Sequence, residues 1–190
     1  MSATSYYSEA ELRGLGLARV GSNVRVSRKA SIYVPELIEV GHDVRIDDFA
    51  ILSGRIEIGS FVHVAAFAAL YGSRGIALED FVGISGRVTV YTESDDFMGE
   101  GLTGPTVPDA YRAVRAGAVR FGRHAVIGAG SVVLPGVTVG EGTTVGALSL
   151  VNASLPAWKV AIGIPARPRW DRRRDVILRH EAALREQGRI

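Results

Sequence analysis

The sequence predicts an all-β fold, a parallel β-helix whose coils have three sides, and two observations carry this prediction. First, one large apolar side chain opens a six-residue unit again and again, in register over long stretches. A helix needs a period near 3.6 residues and an ordinary strand a period of 2, so a period of six indicates a short strand and a turn. The opening positions are Val20, Val26, Ile32, Val40, Ile46, Leu52, Ile58, Val64, Leu70, Leu78, Ile84, Val90, Phe121, Ile127, Val133, Val139, Val145 and Val151.

Second, the position four residues after many of these openings holds a small or branched side chain. One coil of three units cannot bury its own aliphatics, so coils must stack, and the narrow interior of the stack limits side-chain size. A β-sandwich would instead alternate with period 2 and turn every 8–12 residues. We expect about six coils, the first imperfect. The small or branched positions are Val44, Ala50, Val62, Ala68, Val82, Val88, Ala125, Ser131, Val137 and Thr143.

Composition bounds the chemistry of the chain. It has 190 residues, 23 of them Gly, no Cys, and a formal net charge of +2. The lack of Cys excludes disulfides, thiolate metal sites and a Cys nucleophile. Without an apolar N-terminal stretch or a long apolar run, we expect no signal peptide and no membrane span, and a cytoplasmic location. The arginines near the C-terminus alternate with acids, which favours a solvated helix over a nucleic-acid surface.

Four stretches depart from the repeat. Residues 5–14 predict a short helix, because Ser8 and Glu11 have the spacing of a capping box. Residues 91–118 form a long loop rich in Gly and Pro, and such a loop inside a compact repeat is usually functional. Residues 156–168 leave the repeat, and 171–187 carry a helical pattern that we expect to cap the open end of the stack. We therefore expect a β-helix domain over 1–170 and a capping helix over 171–190.

Two motifs resemble the hexapeptide-repeat acyltransferases, and in particular their branch of sugar O- and N-acetyltransferases. They are FGRHAVIGAGSVVLPGVTVG at 121–140 and AIGIPAR at 161–167. The resemblance covers roughly residues 15–170. It implies a left-handed coil, an exception to the usual right-handed crossover. It also implies a homotrimer, with acetyl-CoA as cosubstrate in the groove between neighbouring subunits and a sugar as acceptor.

The catalytic base is where this sequence departs from the family it resembles. In that family a loop His follows a strand in the pattern Tyr-Thr-x-x-His-Pro, and it takes the proton of the acceptor. Here the same stretch reads Tyr91-Thr92-Glu93-Ser94-Asp95-Asp96. Asp95 and Asp96 are therefore candidate bases, with His63, one coil earlier, as the third candidate. A weaker base suits an amine better than a hydroxyl, but both acceptors stay open.

The cofactor residues follow from the same resemblance. Small residues in the late coils would let the pantetheine arm approach the backbone, and Arg167 after the Ile-Pro-Ala turn would meet the phosphates of CoA. No cluster with metal-ligand spacing is visible, so we expect no metal. This also argues against a γ-type carbonic anhydrase, which needs three His on adjacent prism faces, because His42, His63, His124 and His180 lack the close spacing of that family. A non-catalytic assembly subunit with the same repeat remains the alternative to an enzyme. The predicted cofactor-binding small residues are Gly128, Ala129, Gly130, Gly146 and Ala147.

Overall fold

A computed structural model describes residues 5–188, and the outermost residues of the two predicted domains, 1–4 and 189–190, lie outside that part. It contains two α-helices, α1 (Glu9–Gly14) and α2 (Asp175–Glu186), and two short 3-10 turns. The strands in chain order are β1 (Arg19–Val20), β2 (Arg25–Val26), β3 (Ser31–Tyr33), β4 (Ile38–Val40), β5 (Arg45–Ile46), β6 (Ile51–Ile58), β7 (His63–Val64), β8 (Ala69–Leu78), β9 (Gly83–Ile84), β10 (Thr89–Tyr91), β11 (Glu93–Asp95), β12 (Val114–Ala116), β13 (Val119–Phe121), β14 (Val126–Ile127), β15 (Val132–Val133), β16 (Thr138–Val139), β17 (Thr144–Val145), β18 (Leu150–Val151), β19 (Lys159–Gly163) and β20 (Ala166–Asp171).

Most of these strands stack in parallel to form three faces of a prism. Face 1 holds β1, β4, the second halves of β6 and β8, then β13 and β16, and Leu155 extends it by bridging to Val139. Face 2 holds β2, β5, β7, β9, β14, β17 and β19, and face 3 holds β3, the first halves of β6 and β8, then β10, β15 and β18. The left-handed parallel β-helix predicted from the sequence is confirmed, with six coils and part of a seventh within the described residues.

The core lies inside the prism, where the sequence placed it. Inward residues such as Leu52, Leu70 and Ile127 are fully buried, and the small positions four residues later, such as Ala68 and Ser131, are buried with them. Val20 and Ile32 in the first coil stay partly exposed, so that coil is imperfect as expected. Stacking of many inward aliphatics buries the apolar surface that one coil would leave in water.

The chain turns between faces at three corners, and many corner residues adopt the left-handed backbone region that L-residues usually avoid. At corner 1, between faces 1 and 2, these residues include Phe61, Phe81, His124 and Trp158, with φ between 57° and 62°. At corner 2, between faces 2 and 3, they are Phe49, Phe67, Arg87, Gly130 and Leu148, with φ between 56° and 70°. Corner 3, between face 3 and the next coil's face 1, is where the long loop leaves the prism.

The C-terminal part closes the stack in a way that differs from the prediction. Helix α2 lies within the predicted span 171–187, but its buried residue Glu181 contacts corner 1 at His124 rather than the open end. The last strand of face 2, β19, is instead covered by β20, which pairs with it in the antiparallel direction. β20 therefore protects the sheet edge that the helix was expected to protect. No helix in the described part is both long and apolar enough to cross a membrane.

The short N-terminal helix is confirmed with its cap. The Ser8 side chain accepts a hydrogen bond from the Glu11 backbone N–H, and the Glu11 carboxylate accepts one from the Ser8 backbone N–H at 2.7 Å. These reciprocal bonds satisfy two of the free donors at the start of α1.

Candidate active site

The long loop leaves face 3 directly after β10 and is held at both ends by Thr92. The buried hydroxyl of Thr92 donates to the Tyr71 carbonyl at 2.8 Å and accepts from the Arg74 backbone N–H at 3.0 Å. The Thr92 carbonyl accepts from the Gly117 N–H at 2.9 Å, where the loop returns. Between these points β11 and β12 form an antiparallel pair that places Asp95 opposite Val114. The loop is therefore an ordered arm on a rigid base.

Asp95 is fixed within this arm by two donors. Arg112 Nη2 donates to its Oδ1 at 3.0 Å, and the Gly104 N–H donates to its Oδ2 at 3.0 Å. The hydrogen bond from Arg112, followed by that from Gly104, lowers the pKa of Asp95 below its usual value. The side chain remains partly open to solvent. Asp95 is therefore a pre-oriented, charged carboxylate rather than a strong base.

The Asp96 side chain is buried and binds the backbone of the loop itself. Its carboxylate accepts three backbone N–H groups, from Met98 at 3.0 Å, Gly99 at 2.6 Å and Glu100 at 2.7 Å. The bonds from Met98 and Glu100 are the leading reasons why the pKa of Asp96 lies below its usual value. This pattern is that of a carboxylate that closes a turn. Asp96 thus shapes the loop that carries Asp95.

A cavity of about 610 Å³ lies between the loop and corner 3. Asp95 is one of its lining residues, and most of the lining is apolar, from the loop residues Phe97 and Met98 and from Leu134 on the next coil. A mostly apolar cavity with a few polar groups is the usual form of a small-molecule site. The remaining lining residues are Tyr91, Glu93, Ser94, Arg115, Pro135 and Asn152.

His63 lies on a different face. It is in β7 on face 2, half-exposed, and its Nε2 is 2.7 Å from Asp47 Oδ2. The other oxygen of Asp47 accepts from Arg45 Nε at 2.6 Å. His63 does not line the cavity beside Asp95. A single chain therefore keeps the predicted catalytic residues Asp95 and His63 on separate faces.

The small residues predicted to bind the cofactor lie at corner 2 and the strand before it. Ala129, Gly130 and Ala147 line a groove of about 440 Å³ there. Gly128 and Gly146 have a second reason to be glycine. A Cβ on Gly128 would lie 2.4 Å from the Ala147 backbone nitrogen, and one on Gly146 would lie 2.6 Å from the Ile162 side chain. Coil stacking alone therefore accounts for these two glycines.

Arg167 is not among the residues that line the corner 2 groove and lies beyond its end, on β20. It is in β20 opposite Ile162, the residue that packs over Gly146. Its side chain is exposed, and Nη1 donates to the Ala166 carbonyl at 3.0 Å. The remaining guanidinium donors can bind an anionic group that enters the groove from this end.

Comparison with known proteins decides the family. Residues 118–153 match the model for "Bacterial transferase hexapeptide (six repeats)". The chain is 39% identical to the dTDP-4-amino-4,6-dideoxy-D-glucose acyltransferase of Escherichia coli, over 86% of this chain and 87% of that protein. The chain belongs to the hexapeptide-repeat acyltransferases. In this family it is also 27% identical to the putative lipopolysaccharide biosynthesis O-acetyl transferase WbbJ of Escherichia coli K12, over 75% of this chain and 72% of WbbJ.

A solved structure of another such acyltransferase superposes on nearly the whole chain. AntD, an N-acyltransferase from Bacillus cereus, was solved with dTDP and 3-hydroxybutyryl-CoA. It is 45% identical to this chain, with a TM-score of 0.95, over 98% of this chain and all of that one. Other AntD structures carry substitutions of one serine or of one aspartate ten positions after it, in complexes with CoA and either dTDP or dTDP-4-amino-4,6-dideoxyglucose.

Sequence reasoning missed the partners that set the chemistry of this acyltransferase. Arg112 on Asp95 and Asp47 on His63 are each distant in sequence from the residue they hold. For Asp47 a signal was present, since His63 and Asp47 belong to neighbouring coils of the repeat. No group of three or more His, Cys, Asp or Glu side chains in residues 5–188 is arranged to hold a metal ion.

Proposed function

We propose that this enzyme transfers an acetyl group from acetyl-CoA to the amine of an amino sugar linked to dTDP. The relatives that match it over most of their length support this acceptor, since their names and bound ligands include dTDP and a dTDP-linked 4-amino sugar. Both cosubstrates are metabolites of the cytoplasm, which is the location we propose for the enzyme.

One observation carries the proposal. Ser85 is the only serine in the chain with an aspartate ten positions after it, and that aspartate is Asp95. The substituted serine and aspartate of AntD have the same spacing. Asp95 was already the candidate from the loop pattern, so two independent arguments meet at one residue.

The state of Asp95 favours an amine over a hydroxyl. Because Arg112 and Gly104 lower its pKa, the carboxylate stays charged at neutral pH and attracts an ammonium group. A neutral hydroxyl acceptor would carry no positive charge for this carboxylate to attract. We assign Asp95 the role of holding and orienting the acceptor amine. Asp96, which the sequence also suggested, then supports the loop and does not act on substrate.

We also propose that the site lies between subunits of a homotrimer. Ser85 precedes β10 and Asp95 follows it, so the two residues stand at opposite ends of face 3. A face of about six residues is roughly 20 Å long, too far for both side chains to reach one amine. If a neighbouring subunit places its corner 2 against the loop, Ser85 of that subunit can lie close to Asp95 of the first. Face 2 with His63 would then also meet Asp95 across the interface.

The cofactor fits the same arrangement. In the proposed trimer the groove at corner 2, with Ala129, Gly130 and Ala147, would face the partner's cavity below the loop, and the pantetheine arm would lie between them. Arg167 would bind a phosphate of CoA at the end of the groove. Gly128 and Gly146 keep the coils close enough to form this surface. The acyl group enters the apolar cavity, where Phe97 and Met98 would contact it.

Thiol release from acyl-CoA tests the function. We expect turnover with acetyl-CoA and dTDP-4-amino-4,6-dideoxyglucose, and none with the matched sugar nucleotide that has a hydroxyl in place of the amine. A faster reaction with 3-hydroxybutyryl-CoA would correct the proposed acyl group and leave the proposed acceptor unchanged. Turnover of the hydroxyl compound alone would establish an O-acyltransferase, the class named for WbbJ. Binding of CoA without any turnover would instead indicate a non-catalytic subunit.

A further inference from the structure

We propose that Asp47 is a positioning residue that presents His63 as the proton acceptor for the ammonium group of the acceptor sugar. This inference rests on the function proposed above and adds to it the route by which the amine loses its proton. Asp95 holds the amine but is a poor proton acceptor in the structure. His63, paired with Asp47, is the titratable group with the right chemistry on the opposite side of the interface.

The pair is built into face 2. His63 in β7 lies directly above Arg45 in β5, and Asp47 follows β5 at the start of corner 2. His63 Nε2 and Asp47 Oδ2 are 2.7 Å apart, and Asp47 is mostly buried while His63 is 50% exposed. Burial disfavours the charged carboxylate, but hydrogen bonds from His63 and then Arg45 outweigh it and lower the pKa of Asp47. Asp47 therefore remains a fixed anion beside the ring.

This contact decides which ring nitrogen is free. An ionised carboxylate can only accept, so His63 Nε2 must carry the proton that it donates to Asp47. In the neutral ring the lone pair then lies on Nδ1, which is not held by Asp47. An aspartate that binds one nitrogen and stabilises the imidazolium is the arrangement by which a His becomes an effective base.

The pair also lies close to Ser85. Asp47, Ala65 and Ser85 occupy the same position on three successive coils, since each follows an inward aliphatic and its N–H donates to the coil above. Neighbouring strands are about 4.8 Å apart, so Asp47 lies about 10 Å below Ser85, with His63 on the coil between them. A sugar nucleotide bound at Ser85 extends over this distance.

The proton step balances without a further reactant. His63 Nδ1 takes one proton from the sugar ammonium and becomes an imidazolium held by Asp47. The neutral amine attacks the thioester carbonyl and forms a C–N bond; the tetrahedral intermediate breaks its C–S bond. The departing thiolate takes the second amine proton and leaves as CoA thiol, and His63, half-exposed, returns its proton to water.

The charges around His63 allow this role. On the coil below, Arg45 in β5 and Asp47 just after β5 lie beside His63 and compensate each other's charge, and the Tyr6 side chain interacts with Arg45. The strand above, β9, contributes Gly83 opposite His63 and no charge. When the imidazolium forms, it adds one positive charge to this group of side chains. Asp47 lies next to the ring and stabilises that charge.

Variants of the trimeric enzyme test the inference through pH profiles. We expect His63→Ala to lower kcat on the order of 100-fold, with partial rescue by added imidazole. Asp47→Asn should lower kcat roughly tenfold and move the acidic limb of kcat/KM to lower pH, since the ring loses its anion. In the His63→Ala background, Asp47→Asn should cause no further loss. NMR of the neutral His63 ring in the free enzyme should show the proton on Nε2 in the wild type, and a mixture of the two tautomers in Asp47→Asn.

Asp48→Asn is the matched control, because Asp48 is the adjacent aspartate and binds Ser27 and Lys29 instead. It should leave kcat and the pH profile unchanged. If Asp47→Asn unfolds, Asp47→Glu, which keeps the anion, should retain the acidic limb of the wild type. An unshifted profile in Asp47→Asn, or equal losses with and without His63, would overturn the inference while the proposed function stands. If no amino sugar is acylated, the proposed function fails, and an unchanged His63 tautomer in Asp47→Asn would separately refute the coupling of Asp47 to His63.

Discussion

Corners 1 and 2 of the prism have the same backbone geometry but differ in what covers them. At corner 1 the rings of Phe61 and Phe81 stack with centroids 5.0 Å apart, and His124 stacks on Phe81 at 4.8 Å. Helix α2 then covers His124 through Glu181. At corner 2, Phe49 and Phe67 also stack at 5.0 Å, yet they are 47% and 54% exposed, and Leu148 is 72% exposed.

The difference separates a surface that the chain uses itself from one that it leaves for another molecule. Left-handed φ values at non-glycine residues cost free energy at both corners, so the backbone conformation of neither corner is favourable by itself. Corner 1 regains stability from its own helix and a buried ionic cluster. Corner 2 places exposed apolar residues beside Ala129 and Ala147, and such a patch marks an interaction surface. We therefore expect substitutions at corner 1 to change stability and those at corner 2 and its partner loop to change function.

The largest effect should come from the loop that we place against corner 2. Asp95→Asn removes the charge that we propose holds the acceptor amine but keeps the shape of the side chain. We expect kcat to fall on the order of 100-fold, with CoA affinity unchanged. Steady-state kinetics and calorimetric CoA titration measure the two quantities. A fully active Asp95→Asn would remove Asp95 from the site and weaken the proposed function.

The next effect tests whether corner 2 binds a neighbouring subunit. Leu148→Asp places a charge among the exposed apolar residues of corner 2, and an unpaired charge would be costly in the interface that we propose there. We expect the proposed trimer to dissociate at micromolar concentration in light scattering and turnover to fall with it. Leu178→Asp is the matched control, since Leu178 is an exposed leucine on α2. Equal dissociation of both variants, or a monomeric and active Leu148→Asp, would contradict the assignment of corner 2.

A third, smaller effect belongs to corner 1. Glu181 is 6% exposed and binds His124 Nε2 at 2.6 Å, Arg185 Nη2 at 2.8 Å and Arg123. Glu181→Gln should lower the free energy of unfolding by about 1–3 kcal/mol, because buried partners lose a charged acceptor. Turnover at temperatures below the melting transition should stay near that of the wild type. A loss of activity without a loss of stability would erase the distinction between the corners.

The same carboxylate gives a pH dependence with a definite sign. Burial raises its pKa, but hydrogen bonds from Arg185 and His124 and the charge of Arg123 outweigh this, so the pKa of Glu181 lies below its usual 4.5. A lowered pKa contributes stability above the unfolded value, and that contribution disappears as pH falls through the folded value. The melting temperature of the wild type should therefore drop toward that of Glu181→Gln below about pH 4.5.

Much of the fold could be predicted from the sequence because the repeat is a local pattern with one solution. Inward residues such as Ile58 and Val90 occupy similar environments in successive coils, so the spacing of these residues alone predicts the face and the coil to which each belongs. The closure of the stack could not be predicted in this way. It depends on β20 folding back on β19 and on Glu181 finding His124, contacts between segments with no shared period. The division into domains at 1–170 and 171–190 stays a prediction.

The candidate site was predicted only in part. The loop pattern made Asp95 a candidate, and the motif made the corner 2 residues candidates, since both are continuous in sequence, and their roles stay predictions. The environment that decides their chemistry is not continuous. Arg112 is 17 residues from Asp95, and Asp47 is 16 residues from His63. No local pattern reports a pKa that is set by a side chain from another coil or from the far end of a loop.

The smallest expected effect is at the end of the corner 2 groove. Arg167→Ala should weaken CoA binding by roughly tenfold, the usual consequence of losing one charge-assisted bond to a phosphate. Dephospho-CoA distinguishes the phosphates, because a variant that has lost the 3′-phosphate contact should bind it as well as the wild type does. Arg169→Ala is the matched control, since Arg169 is an exposed arginine on the same strand. If both variants bind CoA with equal affinity, the effect is one of general charge and Arg167 makes no specific contact. A tenfold loss confined to Arg167, and weakened by salt, would fix the direction in which CoA lies along corner 2.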